Sequence, residues 1–534
     1  MSSSVPPPSA LPEPDGTAPD PTELPGPASG RALARGFVVG GAVAVLALGG
    51  AGAWAWAALG GGGERPADVL PGTTFAYLAL DLDPAAGQKL EAVRTLSKFP
   101  GLAEAGVSEK KDLGTSLTDA LLSGDPCENL VASRDITPWL GQRAAVAGVR
   151  LDDDSVPVGV VQVSDEKAAA KGLTALAACA ENGDARDTSG VTPTWVLHDG
   201  WAFVAQDAAT AQRVVDAAGT STLAASTDWT RWTGEVGDQG LLTGYLAPKP
   251  AAQIRSLISS FAPEDTSAGD LEALTAGYEE FQGGALTLRF ADGGLEAEAA
   301  GGLDEKSRGL LGAGAGASVA ALPDDTLAAV GVSPRPGWVQ AQAATMAAQA
   351  GAGSTDELYS SIEESTGLSL PEDLETLLGR TFVLSLGGDF DPGAMGEDDD
   401  PTALPLAATV TGDQAKVEDV VGRLASLDPT LGQLLGTTRA GSDAVVVGPN
   451  ESYRSAVARG GRLGDSAVFR SVVPNADRAV AAFFVDVDGR DDWLASLAAD
   501  EADVAKNLAP LSAIGMSAWV DGDVVHSRLR VATD

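Results

Sequence analysis

The chain has 534 residues, 44% of them hydrophobic, and a formal net charge of −39. That apolar share is ample for a buried core, which excludes a wholly disordered protein. A surface this negative repels phosphate backbones and anionic headgroups, which argues against nucleic acid as a partner and stands the folded part off the membrane.

Residues 1–35 are rich in proline, from Pro6-Pro7-Pro8 to Pro27, mixed with Ser, Gly, Asp and Glu. Such a stretch has too little apolar surface to offset the entropy of ordering, so it reads as a disordered cytoplasmic tail. A ligand for a polyproline reader is the sharper alternative. From Gly36 to Gly63 there is no charged residue. A helix needs roughly 20 apolar residues to cross a bilayer, so residues 36–59 read as a single transmembrane helix with the lipid bilayer as its partner. Arg31 and Arg35 precede it, which keeps the N-terminus in the cytoplasm, and Trp54 and Trp56 fall at the outer interface. A cleaved signal peptide is the rival reading, with Ala51-Gly52-Ala53 as its cleavage site. Signal peptides have a short charged start and an apolar core of about 7–15 residues, and this segment departs from both. The spacing of Gly36 and Gly40 matches a helix-pairing motif, a weak signal in a segment so rich in Gly and Ala. Everything after a Gly-rich linker at 60–66 is then extracellular.

The two cysteines, Cys127 and Cys179, both fall on that outer side. In an oxidising compartment such a pair is expected to form a disulfide worth roughly 3–4 kcal/mol, two free buried thiols being the alternative.

An internal repeat organises the rest. Val69-Leu70-Pro71-Gly72-Thr73-Thr74-Phe75-Ala76 returns as Ala321-Leu322-Pro323-Asp324-Asp325-Thr326-Leu327-Ala328, and Trp139-Leu140-Gly141 returns as Leu377-Leu378-Gly379. After each comes an alternating strand, an acidic connection, a second strand and a helix, opened by Ser164 in one copy and Thr411 in the other. Trp201–Ala205 corresponds to 444–447, and both copies end in a hairpin, turning at Asp292-Gly293 and at Asp521-Gly522. The expected fold is α+β: two tandem repeats at 67–302 and 319–534, joined by a Gly/Ala-rich linker at 303–318. Each repeat is expected to be an antiparallel sheet with helices on one face. In the last strand Val525, Ser527, Leu529 and Val531 alternate with His526, Arg528 and Arg530, which predicts a buried apolar face and a solvated charged one.

The residues that could carry chemistry are few. His198 stands beside the turn Asp199-Gly200 and His526 on the charged face of the last strand, and both read as solvated rather than metal-binding or catalytic. Ser164-Asp165-Glu166-Lys167 matches the Ser-x-x-Lys of penicillin-recognising enzymes. No Lys-Thr-Gly element accompanies it, and a Ser at a helix start caps free N–H groups. The clusters Asp152-Asp153-Asp154 and Glu397-Asp398-Asp399-Asp400, with Asp389 and Asp391, lack calcium-loop spacing and read as solvated tips. Asp81, Asp83, Asp486 and Asp488 could together make an acid–base site, although Asp at a strand end is ordinary turn chemistry. No catalytic, metal or cofactor signature is met, so no cofactor is expected.

Leu70-Pro71 to Asp81-Leu82-Asp83-Pro84, then Lys89 to Lys98-Phe99-Pro100 and Trp139-Leu140-Gly141, resemble a family of single-pass membrane proteins of high-GC Gram-positive bacteria, domain of unknown function 3352. The resemblance implies the membrane location and this architecture, and no activity or catalytic residue. The function expected is therefore a non-enzymatic envelope module binding a protein, glycan or lipid, the alternative being an extracytoplasmic enzyme with a carboxylate-based site.

Overall fold

The computed structural model describes residues 63–82, 86–99, 132–182, 194–259, 267–343, 355–391, 400–490, 493–494 and 506–534. The segments read above as tail and transmembrane helix lie outside them, as do Cys127, Asp83 and Glu397–Asp399. Among the described residues no helix is long and apolar enough to cross a membrane.

The protein is a mixture of helices and antiparallel strands, as expected for α+β. The first half supplies β1 (Thr74–Asp81), β2 (Leu140–Leu151), β3 (Asp154–Val163), β4 (Thr194–His198), β5 (Trp201–Ala205), β6 (Leu242–Leu246), β7 (Gly284–Ala291) and β8 (Gly294–Gly302). The second supplies β9 (Ala328–Val332), β10 (Thr381–Leu386), β11 (Leu406–Thr411), β12 (Gly436–Ala440), β13 (Ala444–Gly448), β14 (Ala481–Asp486), β15 (Leu511–Asp521) and β16 (Val524–Thr533). All lie in one 16-stranded sheet ordered β12-β13-β11-β10-β9-β14-β15-β16-β8-β7-β6-β1-β2-β3-β5-β4. The sequence implied a sheet in each repeat and left open that one sheet runs across the joint. The structure has one, because the last strand of each half pairs with the other.

From either edge the strands are met in the same succession. The seam has the register of a two-fold axis: Glu298 faces Arg528, and Glu296 facing Arg530 on one side is matched by Ala300 facing His526 on the other. Local details recur with the order. Leu223 and Leu463 donate their backbone N–H groups to the carbonyls of Leu70 and Leu322. Ser226 and Ser466 cap the helices that follow, accepting from Trp229 and Phe469.

Helices cover both faces, not one. On the first face lie α2 (Ala208–Ala218) and α3 (Thr227–Glu235) of the first half, with α4 (Ala315–Ala320), α6 (Glu451–Arg459) and α7 (Ala467–Val472) of the second. Their cores centre on Phe203 with Trp229 and Trp232, and on Val446 with Phe469 and Phe484. On the opposite face α1 (Glu166–Asn182) packs Ala169 and Leu173 against Val161, Ala202 and Val204. At the other end α5 (Gln414–Ala425) packs Val417 and Val421 against Val410, Val445 and Val447. Runs such as Trp201–Ala205, buried at every position, need cover on both sides. The Gly/Ala-rich stretch at 303–318 runs into α4, where Ala315 and Gly316 are buried.

Candidate functional site: the open face of the sheet

The central strands carry their polarity the opposite way from that expected. In β16, His526 is buried and Arg528 and Arg530 are mostly covered, while Leu529 on the other face is 39% exposed. The cause is the β8–β16 seam. It places Glu296 and Glu298, each 5% exposed, beside those cations. Glu298 accepts from Arg289 and, at 2.6 Å, from Arg528. Glu296 accepts from Arg289 at 2.5 Å and lies 3.3 Å from Arg530, which also pairs with Asp292. Arg289 further donates to the carbonyls of Val236 and Asp238, just beyond α3. Burial disfavours the Arg289 cation, but the hydrogen bonds and charges of Glu298 and Glu296 outweigh it and hold its pKa above the usual value. The charges are thus neutralised in place beneath the first-half helices.

With the charged side covered, the opposite side of the central strands is, among the described residues, apolar and partly open, although the helix Ala86–Leu96 packs against β7 and β8 and Phe290 is buried. One row in strict register runs Leu384, Val330, Phe483, Met516, Leu529, Ala297, Leu288, Leu242, Leu80 across nine strands. The next row passes through Leu78, Gly244, Leu286, Ala299 and Ser527. Leu78 and Leu286 are each 41% exposed and Val330 is 40% exposed. Contiguous apolar surface of this kind marks a binding site more often than it marks plain solvent-facing surface. At both ends of the sheet the same face disappears under α1 and α5, so the open part lies between two helical flanks. A depression of about 390 Å³ sits over β1, β6, β7, β8 and β16.

Among the described residues the candidate acid–base carboxylates are not brought together. Asp81 ends β1 and pairs with the buried Arg143 at 3.0 Å. Asp486 ends β14, and five strands separate the two. Burial raises the Asp486 carboxyl, offset in part by the backbone N–H of Gly489, and Asp488 is exposed. His198 lies on the edge strand β4, exposed, 3.4 Å from its neighbour Asp199. His526 departs from the solvated reading: it stacks on Trp519 with ring centroids 5.3 Å apart, and its Nε2 lies 3.7 Å from Glu235. β16 looks terminal in sequence but is central in the sheet, where α3 reaches over it.

Ser164 and Lys167 are both exposed, and Asp165, not Ser164, caps α1 by accepting from Lys167 and Ala168. Asp413, not Thr411, does the same for α5. Asp152, Asp153 and Asp154 are exposed at a hairpin tip, where Arg213 pairs with Asp152 at 3.0 Å, and Asp389 pairs with Arg490 at 2.6 Å. Among the described residues no group of three or more His, Cys, Asp or Glu is placed to hold a metal ion.

The fold and face define an α+β protein whose described residues leave a partly open apolar sheet face. A family model described as "Protein of unknown function (DUF3352)" matches residues 38–387, and the chain belongs to that family. The match spans the first half and continues to the end of β10. No curated protein and no solved structure matches the chain.

Proposed function

We propose that this is a membrane-anchored extracytoplasmic protein that acts as a non-enzymatic binding module of the cell envelope, its partner a protein, glycan or lipid. The open apolar face of the central strands carries the reading. Leaving Leu78, Leu286, Val330 and Leu529 in water forgoes roughly 25 cal/mol for each Å² of apolar area, a cost that a partner covering the face recovers. The anchor and its orientation rest on the uncharged run from Gly36 to Gly63 and on Arg31 and Arg35 before it. A disulfide between Cys127 and Cys179 belongs to the same reading, since it follows from an oxidising compartment. The net charge of −39 argues against nucleic acid. Nothing favours the carboxylate enzyme, since Asp81 and Asp486 stand on strands far apart in the sheet.

Two measurements test the proposal. Protease added to intact protoplasts should digest the part after Gly63 and spare a tag at Ser2; a lost tag with a protected C-terminus overturns the orientation. Cross-linked retrieval of the full chain from intact cells should retain an envelope component, and Leu529→Asp with Val330→Asp should release it. Retention unchanged in that variant overturns the role of the open face.

A further inference from the structure

We propose that the depression in the open face holds the aliphatic chain of a lipid with a net-neutral headgroup, an inference that rests on the binding role above and names its ligand. The depression, about 390 Å³, falls within the ~300–1,000 Å³ typical of ligand sites. Leu78, Leu286, Phe281 and Val525 line it. Its room comes in part from Gly301, where a Cβ would meet only the Gly283 carbonyl oxygen, whereas the Leu286 side chain lies over Gly244 and that of Phe281 reaches Gly284. Gly244 stands between Leu78 and Leu286, and Gly284 pairs with Gly301. The matching positions of the second half carry Phe483, between Val330 and Met516, and the pair Ile514 and Val531. The same positions therefore carry larger side chains in the second half than in the first.

The lining selects hydrocarbon over peptide. The depression lies over interior strands whose backbone groups are engaged in ladders on both sides, so an amide ligand would bury its own N–H and C=O groups without partners. A methylene chain has no such groups. The Ser527 hydroxyl offers a single polar contact at the margin, and the His526 ring lies on the covered face against Trp519. Among the described residues no Lys or Arg lines the depression to receive a carboxylate or phosphate, and the chain's net charge of −39 repels both, so the headgroup stays in solvent and carries no net charge.

The test uses the full chain in phosphatidylcholine vesicles doped with phosphatidylcholine bearing a diazirine on its acyl chain. Irradiation and peptide mapping should give adducts on the segments holding Leu78, Leu286 or Val525. Gly301→Phe should abolish them. A Cβ at Gly301 meets only the Gly283 carbonyl oxygen, at 3.8 Å, so the backbone there has room for a side chain facing the depression. Gly301→Val, which installs the second half's residue, should reduce the adducts and keep the unfolding midpoint at or above that of the parent. Absent adducts, or adducts indifferent to Gly301→Phe, overturn the proposal. So do adducts from a diazirine palmitic acid that fail to form from the phosphatidylcholine probe. If the adducts fail while Leu529→Asp with Val330→Asp still releases the envelope component, the lipid assignment falls and the binding role stands.

Discussion

Glu298→Gln should cost the protein about 3 kcal/mol, taken from the lower end of the ~3–5 kcal/mol for removing one partner of a buried ion pair. The side chain is 5% exposed and accepts from Arg289 through one oxygen and from Arg528, at 2.6 Å, through the other. Gln keeps the volume and one acceptor, loses the charge and turns an NH₂ group toward a guanidinium. Two charge-assisted hydrogen bonds at ~1.5–3 kcal/mol each bound the loss from above. Two features place it low in the range: the Arg528 side chain is 27% exposed, and Glu296 remains to balance Arg289 and Arg530. Because Glu298 sits where the two halves meet, its loss should also loosen their coupling. The assay is equilibrium unfolding in urea followed by tryptophan fluorescence, urea being chosen because guanidinium salts screen the charges under test. Replacing Arg289, Glu298 and Arg528 together by apolar residues of similar volume should recover most of the loss, since the penalty lies in the stranded cations. A loss below about 1 kcal/mol for Glu298→Gln would refute the reasoning, because that is the range of an exposed pair.

Other outcomes follow from single sites. Burial raises the Asp486 carboxyl above its unfolded value of about 3.9, so the native state holds that proton more tightly; the penalty is absent below that pH and grows as pH rises through the folded value. Asp486→Asn should therefore raise the unfolding midpoint at neutral pH and change nothing near pH ~3, and a loss of stability at neutral pH contradicts this. Phe203, 1% exposed, and Val446 occupy the same place in the two halves, each paired in register with the third strand of its half. Phe203→Ala should cost about 3–5 kcal/mol and Val446→Ala about 2 kcal/mol, read from urea midpoints; near-neutral effects would mean that neither lies in a load-carrying core. Peptide mapping without reductant, on freshly alkylated cells, should find Cys127 joined to Cys179, and two alkylated thiols would dismiss the bridge.

The strand order that recurs from both edges of the sheet was readable in sequence because it resides in residues whose chemistry is local: Leu-Pro before the first strand and the alternating strands themselves. Trp139 and Leu377 pack in the corresponding cores on the face covered by α1 and α5, and the match of Phe203 with Val446 agrees with the sheet register. The match of Leu288 with Trp519 does not. The hairpin loops are Asp292-Gly293 in one half and Gly522-Asp523 in the other, so aligning Asp-Gly on Asp-Gly slips the strand by one residue. Leu288 corresponds instead to Ala518, and Trp519 to Arg289; a one-residue slip exchanges the faces.

The candidate site was illegible for a related reason. Alternation in β16 shows that two faces differ, but which face is covered depends on Glu296 and Glu298, which arrive from a strand more than two hundred residues away. A polar face is covered when opposite charges meet it, and no local pattern records that meeting. The hint available in sequence was Leu295–Ala300, where glutamates alternate with alanines and leucine in a strand otherwise read as half-buried.

The central claim is that the open face meets a partner in the envelope. Its most direct test places a photo-crosslinking amino acid, one position at a time, at Leu78, Leu286, Val330 and Leu529, with Arg213 and Arg439 as controls on exposed surface elsewhere. Irradiation of intact cells should give discrete adducts of the full chain from the four open-face positions and none from the controls. Adducts from the controls alone, or from no position, would contradict the account.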